Sequence, residues 1–248
     1  MLKIRIIPVL NFNGFGLVKT KQFTNPRMVG NPVQAARVYN SRGVDELLFI
    51  DIFASKQNRK INLKIVKDVI KECFMPVGIG GGISTLDDIN NLLQIGADKV
   101  VLKTSILKNP EFIKSAANFF GSQCISISVD IFKENNEYFV YNDLGIIKKM
   151  TEFIKTVQDF GAGEIILNNV DNDGMMEGFD HLLLNEATQV CKVPIVYIGG
   201  GGNLHHYKDL FSNTDCNAVA SSSIFHFTQF TPLDIKTQLR ELGKPVRI

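Results

Sequence analysis

Two apolar runs close on residues able to engage a reacting group. CISISVD (124–130) ends on Asp130, and IRIIPVL (4–10) runs into Asn11. A carboxylate at such a position can take or give a proton, whereas an amide can only donate and accept hydrogen bonds. Lys19 follows in the loop after the first run, either as a mobile cation for a phosphate or carbonyl or as a solvated loop lysine. Asp51 closes ELLFID (46–51), and VDNDGMMEGFD, after EIILNN (164–169), brings Asp171, Asp173 and Gly174 to the same rim. Acidic groups placed there position hydroxyls or shuttle protons, and in Asp-Gly turns they also cap the turn. DNDG resembles the start of a calcium loop but lacks its later ligands.

Glycines 80–82 and 199–202 each follow an apolar run, and a hydroxyl pair follows one unit later, Thr104–Ser105 and Ser222–Ser223. Glycine lets backbone approach a ligand, and N–H groups at a following helix start bind phosphate. Tight turns favour Gly and Ser for their own reasons, but the pairing occurs twice. The expectation is two phosphate sites, one using Gly81, Gly82 and Thr104, the other Gly200, Gly201, Ser222 and Ser223. Their ligand would be long, with a phosphate at each end.

Arg5, Glu46, Lys99 and Glu164 stand at or near the starts of such runs, and two charges of each sign around one opening can close an ion-pair ring. By itself that ring reads as stabilising; its other reading is a gate on an axial passage. His205, His206 and His226 have no metal-ligand company and read as helical or packing residues. Cys73, Cys124, Cys191 and Cys216 are widely spaced without a CxxC pair, so they read as buried thiols, with no metal site or disulfide framework expected.

These residues need a scaffold. Short β-branched runs alternate with helical patterns, the mark of repeated βα units. The strands are 4–10, 46–51, 76–80, 99–103, 124–130, 164–169, 194–199 and 218–222, and helices such as 31–43 and 85–96 lie between them. GVDELLFID (43–51) answers to GAGEIILNN (161–169), PVGIGGG (76–82) to PIVYIGG (194–200), and DKVVLKTSI (98–106) to CNAVASSSI (216–224). Four units duplicated predict an α/β fold, a (β/α)8 TIM barrel of two half-barrels, about 1–120 and 121–248, in one domain. A doubly wound open sheet is the alternative. In a barrel, catalytic groups sit at the carboxyl ends of the strands, and the repeat sets Asn11 opposite Asp130.

At 248 residues, 45% hydrophobic and 21% charged, the chain can bury a large core. Its 27 basic residues are interspersed with 25 acidic ones for a net charge of +2, which argues against a nucleic-acid partner. The sequence shows neither a bilayer-spanning apolar run nor a signal-peptide core, so no membrane association and a cytoplasmic location are expected. No cofactor is expected.

RIIPVL, GVDELLFIDIFAS, GGGI, GADKV, FGSQC, GAGEIILNN, DNDG, GGGGN, SIFHF and the final PVRI closely resemble the HisF family, the cyclase subunit of imidazole glycerol phosphate synthase, over essentially the whole chain. The resemblance implies a barrel that binds a bisphosphorylated ribulosyl-formimino nucleotide. Ammonia from a partner glutaminase, HisH, enters at the barrel's bottom through a gate matched here by Arg5, Glu46, Lys99 and Glu164. The family's acid and base are two aspartates, and this chain matches one as Asp130 and keeps Lys19, but has Asn11 for the other. Lys103 stands for an asparagine beside Thr104 and is expected among the substrate- and phosphate-binding residues, DNDGMMEG stands for the usual DRDGT, and Thr20 for a glycine.

GLVKT, ECFMP and VGNPVQAARVYN look more like HisF-like paralogues linked to surface-polysaccharide synthesis. In that group the barrel is thought to pass ammonia to an ATP-dependent sugar amidotransferase that forms amidino sugars. The leading expectation is therefore an ammonia-channelling subunit in amidino-sugar formation. The alternatives are a working imidazole glycerol phosphate synthase in which Asp51 or water replaces the missing acid, and a non-catalytic glutaminase-activating scaffold.

Overall fold

Strand β1 (Arg5–Phe12) pairs in parallel on one side with β4 (Leu47–Asp51) and on the other with β11 (Ala218–Ser221), which closes the sheet. Between them, β5 (Val77–Gly80), β6 (Lys99–Leu102), β7 (Ile125–Glu134), β9 (Glu164–Asn169) and β10 (Ile195–Ile198) complete an eight-stranded parallel barrel. The computed structural model describes residues 3–248. Strand β1 runs straight into a hairpin, β2 (Leu17–Lys21) and β3 (Thr24–Gly30), while β7 outruns the barrel to pair with β8 (Glu137–Val140). The barrel is the expected (β/α)8 fold; the open sheet is excluded by the β1–β11 pairing.

Helices α1 (Pro32–Ser41), α2 (Leu63–Ile70), α3 (Leu86–Gln94), α4 (Thr104–Lys108) and α5 (Glu111–Phe120) connect the first strands; α6 (Met150–Asp159), α7 (His181–Val190), α8 (Leu204–Asn213), α9 (Ser223–Phe227) and α10 (Pro232–Glu241) follow. Their starts are written locally. Asn31 accepts from the N–H groups of Val33 and Gln34, with Pro32 preset for the first turn. Thr85 with Asp88, and Thr231 with Asp234, form reciprocal capping boxes. Among the described residues no helix is long and apolar enough to cross a membrane.

Alternation along each strand sorts the core into two bodies. Ile6, Leu10 and Phe12 of β1, with Leu47 and Phe49 of β4, pack outward against the helices. Ile7, Val9, Leu48, Val101, Ile166, Val196, Ala218 and Ala220 point the other way and fill the barrel's interior. The same period then fixes what stands above and below that plug. Read upward, β1 presents Arg5, Ile7, Val9 and Asn11; β6 presents Lys99 and Val101, with Lys103 just beyond; β9 presents Glu164, Ile166 and Asn168.

The cysteines correct an expectation: Cys73, Cys124, Cys191 and Cys216 are free thiols but only partly buried. Burial pushes the Cys73 thiol up to about 11.

Candidate functional site

At the amino-terminal mouth Arg5 donates to Glu46 (2.8 Å) and Glu164 (2.7 Å), and Lys99 reaches the same two carboxylates at 2.8 and 2.9 Å. The four charges form a closed ring, further held by the Ser126 hydroxyl donating to Glu164 at 3.1 Å. Gly78 makes room for it, since a Cβ there would stand 2.7 Å from Leu48 and 3.2 Å from the Lys99 stem.

Burial pushes the Glu164 carboxyl up, but the charges and hydrogen bonds of Arg5 and Lys99 outweigh it and hold the group below its ordinary 4.5. A depressed carboxylate stabilises the fold above its unfolded value and loses that contribution as pH falls through the folded one. The melting-temperature gap between wild type and Glu164→Gln should therefore stay constant above pH 4.5 and shrink below it. A gap that persists in acid would show that Glu164 acts in the ring through shape alone.

At the opposite mouth lies a cavity of about 200 Å³, open to solvent. The predicted mouth residues line it, except Asp171 and Ser105. Asn11 and Asp130 face it from β1 and β7, Asp51 from the end of β4, and Lys19 and Asp173 with Gly174 from the hairpin and the loop after β9. Gly81, Gly82 and Thr104 line one side, and Gly200, Gly201, Ser222 and Ser223 another. Gly81 has φ +122, and a Cβ there would sit 2.6 Å from the Asp51 carbonyl oxygen, so the turn admits no side chain.

The hydroxyl pairs fall at helix starts, with Thr104 and Ser223 opening the first turns of α4 and α9. Three of these hydroxyls, Ser105, Ser222 and Ser223, are buried without a hydrogen-bond partner. Ser222 and Ser223 line the cavity, and because buried hydroxyls without partners cost stability, these two point to a ligand that satisfies them.

Several expected roles change with the contacts. Lys19 belongs to β2, only 4% exposed, and its Nζ is held by Asp173 (2.7 Å) and the Thr20 carbonyl (2.8 Å); it is neither mobile nor solvated here. Thr20 donates to the other Asp173 oxygen at 2.9 Å. Asp51 accepts from both terminal nitrogens of Arg59 and from the N–H groups of Phe53 and Ala54. With its acceptor positions taken it orders the turn, and a proton-transfer role for it has no geometric support. Asp171 faces away from the cavity and accepts from the Lys133 N–H at 2.8 Å, tying down the β7 extension. His205 and His206 lie in α8 and His226 in α9, as packing and helical residues.

Asp130 is 4% exposed. One carboxylate oxygen accepts from Ser128 and Asn168, both at 3.2 Å, and the other pairs with Lys103. Asn168 and Ser128 escaped the sequence reading, although each stands at an alternate position on a strand already recognised. Tyr141 was also missed; with Phe23 it forms an edge-on aromatic pair over the mouth, centroids 5.6 Å apart.

The sequence profile of the histidine biosynthesis protein family matches residues 5–231. Over its whole length the chain is 41% identical to the imidazole glycerol phosphate synthase subunit HisF of Staphylococcus saprophyticus, covering all of that protein, and 41% identical to that of Staphylococcus carnosus, covering 99% of it. The protein of the same name from Streptococcus mutans is 40% identical, with both chains covered in full.

Proposed function

The chain belongs to the HisF family of histidine biosynthesis proteins, and from that premise we infer that it is the synthase subunit of a glutamine amidotransferase, receiving ammonia at the charged ring and adding it to a phosphorylated acceptor above Asp130. The observation that carries this reading is the axial order of the barrel: closed ring, apolar plug, then a polar cavity with unpartnered hydroxyls. An apolar layer admits neutral ammonia and rejects ammonium, because an ion would lose its hydration there without a partner. Such a route needs a source at the ring, and a HisH-like glutaminase docked on the amino-terminal face supplies it.

The named relatives favour the histidine-pathway nucleotide as acceptor; the amidino-sugar reading, with its separate sugar amidotransferase, finds no support in them. What still speaks for another acceptor is local to the cavity. Asn11 cannot transfer a proton, and Lys103 occupies the free oxygen of Asp130.

The test is glutamine hydrolysis by the co-purified glutaminase complex. Addition of the ribulosyl-formimino nucleotide should raise it by about tenfold, a coupling common between linked sites. Stimulation by an acetamido-sugar nucleotide alone would move the acceptor to sugars, and stimulation indifferent to any ligand would reduce the barrel to a scaffold.

A further inference from the structure

Lys103 lines the cavity and sits on the carboxylate that the functional reading places beneath the acceptor. It follows β6 in the same inward column as Lys99 and Val101, and its Nζ meets the carboxylate oxygen of Asp130 that no other donor reaches. Unlike Lys19, whose side chain is 3% exposed and held by Asp173, the Lys103 side chain is 31% exposed. Its Nζ also lies 5.5 Å from the centroid of the Phe23 ring, a second place where a cation is stabilised. Asn168, which donates to the other oxygen of Asp130, also lines the cavity and leaves its own Oδ1 buried and unpartnered.

We propose that Lys103 is a displaceable cap on Asp130: it pairs with the carboxylate in this structure and transfers to the anionic group of an incoming phosphorylated ligand, which uncovers Asp130. The inference rests on the phosphorylated acceptor proposed above. After transfer, Ser128 and Asn168 still orient Asp130 through its other oxygen, while the oxygen Lys103 leaves faces the cavity and can take a hydrogen bond or a proton from the ligand. The carboxylate is thus exposed only when a phosphate has docked, and an ammonium ion or water entering alone finds it covered. Lys103 acts through Asp130 and through the ligand's charge, so it is a positioning residue and selects for ligands with a phosphate at that rim.

The probe is inorganic phosphate, applied to the full-length protein in crystals and by calorimetry. In the phosphate-bound crystal, Lys103 Nζ should contact a phosphate oxygen and have left hydrogen-bonding range of Asp130, with Ser128 and Asn168 unmoved. Lys103→Gln should weaken phosphate binding by about tenfold, the worth of one charge-assisted hydrogen bond, while Lys103→Arg should stay within about threefold of wild type. The proposal is overturned if phosphate binds with Lys103 still on Asp130, if no phosphate binds within reach of Lys103, or if Lys103→Gln binds as wild type does. These readouts do not depend on the acceptor. Failure to convert the histidine-pathway nucleotide would leave them standing, and an immobile Lys103 would leave ammonia delivery standing.

Discussion

Asn11→Asp raises ammonium-driven cyclisation of the histidine-pathway nucleotide by about 10² to 10⁴, the usual worth of a positioned acid or base. The expectation follows from how the other carboxylates of the cavity are engaged. Asp51 is saturated by Arg59 and two backbone N–H groups, Asp173 is held by Lys19 and Thr20, Asp130 pairs with Lys103, and Asp143 pairs with Lys56 at the rim. A carboxylate at position 11 would top the column above Val9 and face the same cavity. The assay uses ammonium without glutaminase, with nucleotide binding measured alongside. Intact binding without a gain would place the acceptor outside the histidine pathway. Wild-type turnover already in the common range of about 1 to 10³ per second would show that the amide at position 11 is no handicap.

The second large effect concerns the fold. Lys236 on α10 is 1% exposed, yet it is a lysine. Its Nζ donates to Asp45 (2.9 Å) and to the Gly43 carbonyl (3.0 Å), and the other Asp45 oxygen accepts from the Ile6 N–H at 2.9 Å. One buried pair thereby ties the last helix to the first strand and to the turn ahead of β4. Lys236→Ala strands a buried carboxylate, and removing one partner of such a pair costs about 3–5 kcal/mol. For a chain of this length that lowers the melting temperature by roughly 10 °C. Lys236→Met combined with Asp45→Asn should cost less than Lys236→Ala, since no charge is left unpaired. Urea melts decide it, and a loss below about 1 kcal/mol would mean that water reaches the pair.

The barrel strands were legible because each is a short apolar run bounded by turn residues, and all eight runs became barrel strands. The three added strands were not. Strand β3 reads TNPRMVG, without alternation and with almost every residue exposed, so nothing in its pattern marks pairing; β2 holds it in place. Strand β7 continues four residues past Asp130, because its register with β8 is set by a hairpin that alternation within the barrel does not foretell. Asn11 likewise is not terminal, since β1 carries on through Phe12. Among site residues, charges and glycines at or just after the ends of recognised strands were found from sequence, whereas Lys56 and Asp143, in loops farther along, were not. Asn168 and Ser128 were missed because, unlike Asn11, neither breaks off an apolar run opposite a carboxylate in the repeat, and an amide or hydroxyl elsewhere in a strand carries no signal until its neighbours are known. The engagement of Asp51 by Arg59 was equally hidden, for it depends on a loop eight residues on folding back.

The alternation that builds the inward columns also constrains how this protein can change. Arg5 and Asn11, Glu164 and Asn168, and Lys99 and Lys103 are each an even number of residues apart on one strand or its direct extension. Deleting or inserting a single residue between such partners would turn one of them toward the helices and leave an aliphatic side chain facing the axis in its place. Length variation in these strands is therefore closed to the lineage as a means of altering one mouth while sparing the other. Only exchange of one side chain for another, in place, lets the two mouths drift separately.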